Sequence, residues 1–134
     1  MRPETKKSGR RFRSIKAWQQ ADYLVAVIYQ VTRTFPKDEQ YSVVSQMRRA
    51  AVSVAANIVE GSARRSHQEY LQFLSIAKAS LSELSYYIHL SKQLGYLSDI
   101  CFCQLNDKSE ETARTLYGLM QHVSQETRAN VATV

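Results

Sequence analysis

Four polar side chains, Arg49, Ser53, Asn57 and Glu60, recur at i, i+4, i+8 and i+11 in the otherwise apolar residues 46–61. On an α-helix that spacing puts them on one face. A stripe of arginine, hydroxyl, amide and carboxylate can do two kinds of chemistry. It can make charge-assisted hydrogen bonds that fix the register of a packed interface, or its arginines can face a groove and hold phosphate. Arg48, Ser80 and Glu83 are the further polar residues expected at a buried or interfacial position. The structural version pairs Arg48 or Arg49 with Glu60 or Glu83 and sets Asn57 on backbone groups at the end of its helix.

Catalytic chemistry finds less support. Ser53 and Ser80 have no histidine at helical spacing to activate them as nucleophiles. His67, His89 and His122 fall on separate segments without the His-Glu-x-x-His pair of a zinc hydrolase. A carboxylate-bridged di-metal bundle needs Glu-x-x-His on two helices, and Glu60, Glu69 and Glu83 are not followed that way. Cys101 and Cys103, two residues apart on a helix, point to different sides and read as reduced thiols. There is no glycine-rich phosphate loop and no Gly-x-Ser-x-Gly elbow. The expectation is a protein that is not an enzyme and uses no metal or cofactor.

These residues must be carried by helices. Only four Gly and two Pro interrupt 134 residues, a length suited to one domain. The first helix is expected to begin at a Ser14 cap, to bury Trp18, Ala21, Val25, Ile28 and Phe35, and to end at Pro36. A second is expected from about Asp38 to Val59, closed by Gly61 as the residue just past its end. Ser66-His-Gln-Glu69 has the capping-box pattern that starts a third helix. That helix carries Tyr70, Phe73, Leu74, Ala77, Leu81, Leu84 and Ile88 on its inner face and closes at Gly95. Ser98 caps a fourth, with Phe102, Leu105, Leu116, Leu119 and Val123 inward and the polar residues 106–111 fraying or facing solvent. Short connections favour antiparallel neighbours, so the predicted fold is all-α, an up-down-up-down four-helix bundle over residues 14–124. Residues 125–134 are expected to form a loose tail. Trp18 and Tyr96 are expected to plug the bundle ends. Of Tyr86 and Tyr87 only one can face inward, which leaves the other for a subunit contact.

The net charge of +6 sits in one place. Residues 1–16 hold Arg2, Lys6, Lys7, Arg10, Arg11, Arg13 and Lys16 against Glu4, and the remaining basic and acidic side chains cancel. Residues 1–13 therefore read as a disordered basic arm suited to sequence-independent phosphate contacts. Lys6, Lys7, Arg10, Arg11, Arg13 and Lys16 are its candidate contacts, with Arg64 and Arg65, just past the second helix, as a basic rim on the body. No apolar run reaches membrane-spanning length and the basic start lacks a secretory core, so no membrane partner and a cytoplasmic location are expected.

Trp18-Gln-x-Ala21, Phe35-Pro36, Gln46-x-Arg-Arg-Ala-Ala-Val-Ser53, Asn57-Ile-x-Glu-Gly61 and Arg64-Arg-Ser66 follow one another in a recognisable order. Phe73-Leu74, Ala77, Ser80-Leu-x-Glu-Leu84, Leu94-Gly-Tyr-Leu97 and Leu116-x-Gly-Leu119 continue it. Over about residues 14–124 the chain resembles the four-helix bundle proteins encoded in intervening sequences of bacterial 23S ribosomal RNA genes, also called S23 ribosomal proteins. Ala77-Lys-Ala-Ser80 departs from the family's usual Ala-x-Gly-Ser. The resemblance implies a homo-oligomeric ring, commonly a homopentamer, with no enzymatic activity established. It also implies kinship with accessory proteins of diversity-generating retroelements, which bind a reverse transcriptase and nucleic acid. The expected partners are thus further copies of the chain and RNA or other nucleic acid, the alternative being a scaffold for a protein such as a reverse transcriptase.

Overall fold

A computed structural model describes residues 11–132, with side chains through Arg128. Among these residues there are four α-helices and no strand. They are α1 (Lys16–Thr32), α2 (Ser45–Ser62), α3 (His67–Gln93) and α4 (Asp99–Ala132). A 3-10 turn, Arg11–Ser14, precedes α1, and a second one, Lys37–Glu39, runs through a π-turn, Gln40–Val44, into α2.

Helix-to-helix contacts follow a ladder. Met47 meets Ser91, Ser53 meets Ser80, and Gly61 meets Tyr70, so partners descend along α3 as they climb α2. The same reversed order links Ser85 to Ser109 and His67 to Glu126 between α3 and α4. Each helix thereby contributes one stripe to a common core. Leu24, Ile28, Met47, Ile58, Leu74, Leu84, Ile88, Leu105 and Leu116 are fully buried there. Each such side chain contributes on the order of 1.5–3 kcal/mol of transfer free energy.

Several local expectations are corrected. Ser14 does not cap α1: the N-cap is Ile15, and the Ser14 hydroxyl donates to the Arg11 carbonyl at 2.9 Å, closing the turn before the helix. The buried stripe of α1 is Ala17, Ala21, Leu24, Ile28 and Thr32, leaving Trp18 and Val25 half-buried at its margin. Phe12 packs edge-on against Trp18, with ring centroids 4.9 Å apart. The helix stops at Thr32 rather than Pro36, because Arg33, Thr34 and Phe35 donate three residues back instead of four. The wider π-turn lets the adjacent Val43 and Val44 both reach the core.

Gly61 lies inside α2, not past its end, and the C-cap is Ala63. A Cβ at Gly61 would stand 2.8 Å from Tyr70 Cδ1 and 2.9 Å from Phe73 Cβ. The glycine therefore serves close approach of α3 rather than a left-handed turn. Ser66 does cap α3, accepting from the Glu69 amide at 3.1 Å. Gly95, at φ +82°, closes it in a Schellman motif, with Tyr96 N–H on the Ser91 carbonyl and Gly95 N–H on that of Lys92. Ser98 accepts from the Cys101 amide at 3.1 Å at the start of α4. Residues 106–111 stay helical, with Asp107, Lys108 and Glu110 facing solvent as expected, but Ser109 and the following Thr112 are buried, their hydroxyls bonded to Ser85 and to the Lys108 carbonyl. The helix also continues beyond residue 124 to Ala132, so that boundary falls within α4.

Candidate functional site

The polar stripe of α2 is built largely within itself and against α3. Ser53 and Ser80 share a 2.7 Å hydrogen bond across the seam. Asn57 Nδ2 donates to the Ser53 carbonyl at 2.8 Å and to its hydroxyl at 3.0 Å, not to backbone groups at the helix end. The expected pairing of Arg48 or Arg49 with Glu60 or Glu83 does not form. Glu60 instead accepts from Arg64 at 3.0 Å, one turn along the chain, and that is the shorter reach. Arg49 and Glu83 are exposed. Burial raises the Tyr87 phenol above its ordinary value, and the Glu83 carboxylate nearby adds to the shift.

Outside that seam, α2 and α3 leave an uncovered apolar face. Val52 is 40% exposed, Ile76 49% and Tyr86 58%. Ala56 and Ala79 are exposed beside them, so the family's glycine is not required here for helix approach at position 79. Arg49 and Glu60 on α2 and Glu83 on α3 are exposed charged groups of the same two helices.

Lys6, Lys7 and Arg10 lie outside the described residues. Arg11, Arg13 and Lys16 are described and exposed. The turn that holds Arg11 and Arg13 packs against α2 as well as α1. At the far end of α2, Arg64 is held by Glu60 and lies over the Phe73 ring, 4.7 Å from its centroid. Arg65 is exposed and, among the described residues, in no ion pair.

Arg48 goes elsewhere, to the α1 end of the molecule. Its Nε donates to Thr32 Oγ1 at 2.9 Å and its Nη2 to the Tyr29 carbonyl at 3.4 Å, while the guanidinium sits 4.6 Å from the Tyr29 ring centroid. It lines a cavity of about 250 Å³ together with Arg33 and Lys37. Sequence reasoning missed those two cations, because only the fold of residues 33–44 brings them beside Arg48. A second missed group is the carboxylate of Glu126. It takes His67 Nε2 at 3.1 Å and His122 Nε2 at 2.8 Å, tying the start of α3 to α4. His67 and His122 are 55 residues apart in number, and no short motif announces the pair. Among the described residues no group of three or more His, Cys, Asp or Glu side chains is placed to hold a metal ion. No described helix is long and apolar enough to cross a membrane.

The sequence pattern of a family described as 23S rRNA-intervening sequence protein matches residues 13–118. The chain belongs to that family. Membership accounts for the ordered motifs from Trp18 to Leu119, whose residues supply the α2–α3 seam and the core described above. No curated protein matches the chain. A crystal structure of a protein of unknown function from the S23 ribosomal protein family of Bacteroides thetaiotaomicron has the same fold, with a TM-score of 0.70 at 19% identity. The match covers 78% of this chain and 95% of that one. Like that protein, this member of the 23S rRNA-intervening sequence family is a small helical body.

Proposed function

We propose that the protein is a non-enzymatic, self-associating bundle of up-down-up-down topology that binds RNA through phosphate contacts and acts as an accessory protein. The observation that carries self-association is the uncovered face of α2 and α3. Val52, Ile76 and Tyr86 are side chains a monomer gains by hiding, and the exposed charges Arg49, Glu60 and Glu83 on the same helices suit a specific interface. The family resemblance adds the expectation of a closed ring, a homopentamer.

RNA binding rests on charge placement. The whole net charge lies in residues 1–16, on a body that sums to zero. Arg11 and Arg13 project from a turn packed on the bundle, and Arg65 adds a cation after α2. Several weak copies of such a basic segment on one ring add through effective concentration.

Sedimentation velocity tests the assembly. The 15.3 kDa chain should sediment as a multimer, and Ile76→Glu should shift it to the monomer without loss of helicity. The same apolar face would also suit a different protein, such as a reverse transcriptase. A wild-type chain that stays monomeric at tens of micromolar would defeat the ring and favour that second reading.

A further inference from the structure

We infer that the cavity between the end of α1 and the start of α2 is a phosphate site formed by Arg33, Lys37 and Arg48. Three cations line one concavity of about 250 Å³, and none of them is in an ion pair among the described residues. That volume equals roughly eight liquid waters, enough for a tetrahedral oxyanion with part of its hydration shell.

Arg48 is organised for the task before any ligand arrives. Thr32 Oγ1 and the Tyr29 carbonyl occupy two of its donors, and the Tyr29 ring supports the guanidinium. An arginine has five N–H donors, so several remain for an anion. The buried Thr32 hydroxyl is itself fixed by donating to the Ile28 carbonyl at 2.6 Å, which leaves its lone pairs for Arg48. Gln40 adds an amide at the wall.

Neither acidic residue of the same turn, Asp38 or Glu39, lines this cavity. Glu39 accepts from Ser42 at 2.8 Å and from the Tyr96 hydroxyl at 3.2 Å. Burial first, and then Glu39 and Asp38, raise the Tyr96 phenol above its ordinary value. The carboxyl end of α1 opposes an anion, but with only about half a unit charge against three full cations. A lone sulfate-sized ligand or one phosphate of a chain meets the same groups. The site deepens the RNA reading by placing a phosphate contact on the body, yet a free oligophosphate would use it without any RNA.

The test titrates the full chain with inorganic pyrophosphate and, separately, with a single-stranded RNA, for wild type and for the exposed double variant Arg33→Gln/Lys37→Gln. Circular dichroism establishes that the variant is folded. Wild type should bind pyrophosphate, and the variant should bind it about tenfold or more weakly, as loss of charged hydrogen bonds implies. Lys78→Gln/Arg114→Gln, which removes two exposed cations outside the cavity, should leave pyrophosphate binding unchanged. If RNA affinity falls in the Arg33/Lys37 variant too, the phosphate belongs to nucleic acid. If pyrophosphate binding alone falls, the ligand is a free oligophosphate and the site stands apart from the RNA proposal. Wild type that ignores pyrophosphate, or a folded variant that binds it equally well, overturns the assignment.

Discussion

Replacing Gly61 by alanine separates close approach from turn formation as the reason for that glycine. Were Gly61 an ordinary helical residue, alanine would stabilise α2 by about 1 kcal/mol through helix propensity. The structure opposes that gain. The new Cβ would lie 2.8 Å from Tyr70 Cδ1, 2.9 Å from Phe73 Cβ and 3.2 Å from the Tyr70 carbonyl oxygen. Two of those atoms belong to, or sit directly on, the α3 backbone, so relief requires moving a helix rather than a rotamer. Overpacking of this kind costs about 1–3 kcal/mol, toward the upper end when backbone must shift. The expected net effect is a loss of about 1–2 kcal/mol. Gly118 is the internal control, because nothing lies within 4 Å of its would-be Cβ and it sits inside α4. Gly118→Ala should gain about 1 kcal/mol. Urea unfolding at one fixed chain concentration reads both, since assembly would otherwise move the midpoint by mass action. Each kcal/mol should also move the thermal midpoint by roughly 3–5 °C. A Gly61→Ala protein stabilised as much as Gly118→Ala would refute the close-approach account.

Ser53→Ala leaves the buried Ser80 hydroxyl without its 2.7 Å partner and should cost about 1–2 kcal/mol, whereas Ser53→Ala/Ser80→Ala should cost clearly less than the two singles summed. Additive urea midpoints would show the pair to be uncoupled. Ser66→Ala should lose about 1 kcal/mol with its cap, while Ser14→Ala should stay within about 0.5 kcal/mol because its hydroxyl caps no helix. Equal losses would contradict the N-terminal boundary of α1. Burial, and then Glu126, raise the Tyr70 phenol above its ordinary value near 10. A raised folded pKa contributes stability that is present below pH 10 and lost as pH rises through the folded value. Tyr70→Phe should therefore flatten the alkaline fall in stability above pH 10, and an unchanged slope would remove Tyr70 from that role.

Helix-scale features were legible because their signals are local. The inward stripe of α3 from Leu74 to Ile88, the Ser66 and Ser98 caps and the Gly95 closure each follow from a few neighbouring residues. The failures share a cause of the opposite kind. Gly61 read as a helix terminator, and only its distance to Tyr70 and Phe73, set by α3, shows otherwise. Residues 106–111 are expected to fray or face solvent, and Asp107, Lys108 and Glu110 do face it, but Ser109 turns inward because Ser85 on α3 satisfies its hydroxyl. The sequence pairs Arg48 or Arg49 with Glu60 or Glu83, whereas the fold offers Arg48 the Thr32 hydroxyl and the Tyr29 ring. Arg33 and Lys37 carried no motif at all; their meaning comes from the turn that gathers them beside Arg48.

The most direct test of an RNA-binding bundle is the salt dependence of RNA affinity for the full chain against residues 17–134. The account predicts a steep linear fall of log affinity with log salt for the full chain, with a slope of about 0.7 per single-strand phosphate contact. Removing residues 1–16 should weaken binding and flatten that slope, because those residues hold the entire net charge. Equal affinity and equal slope in both proteins would contradict the claim that the basic segment is the RNA contact.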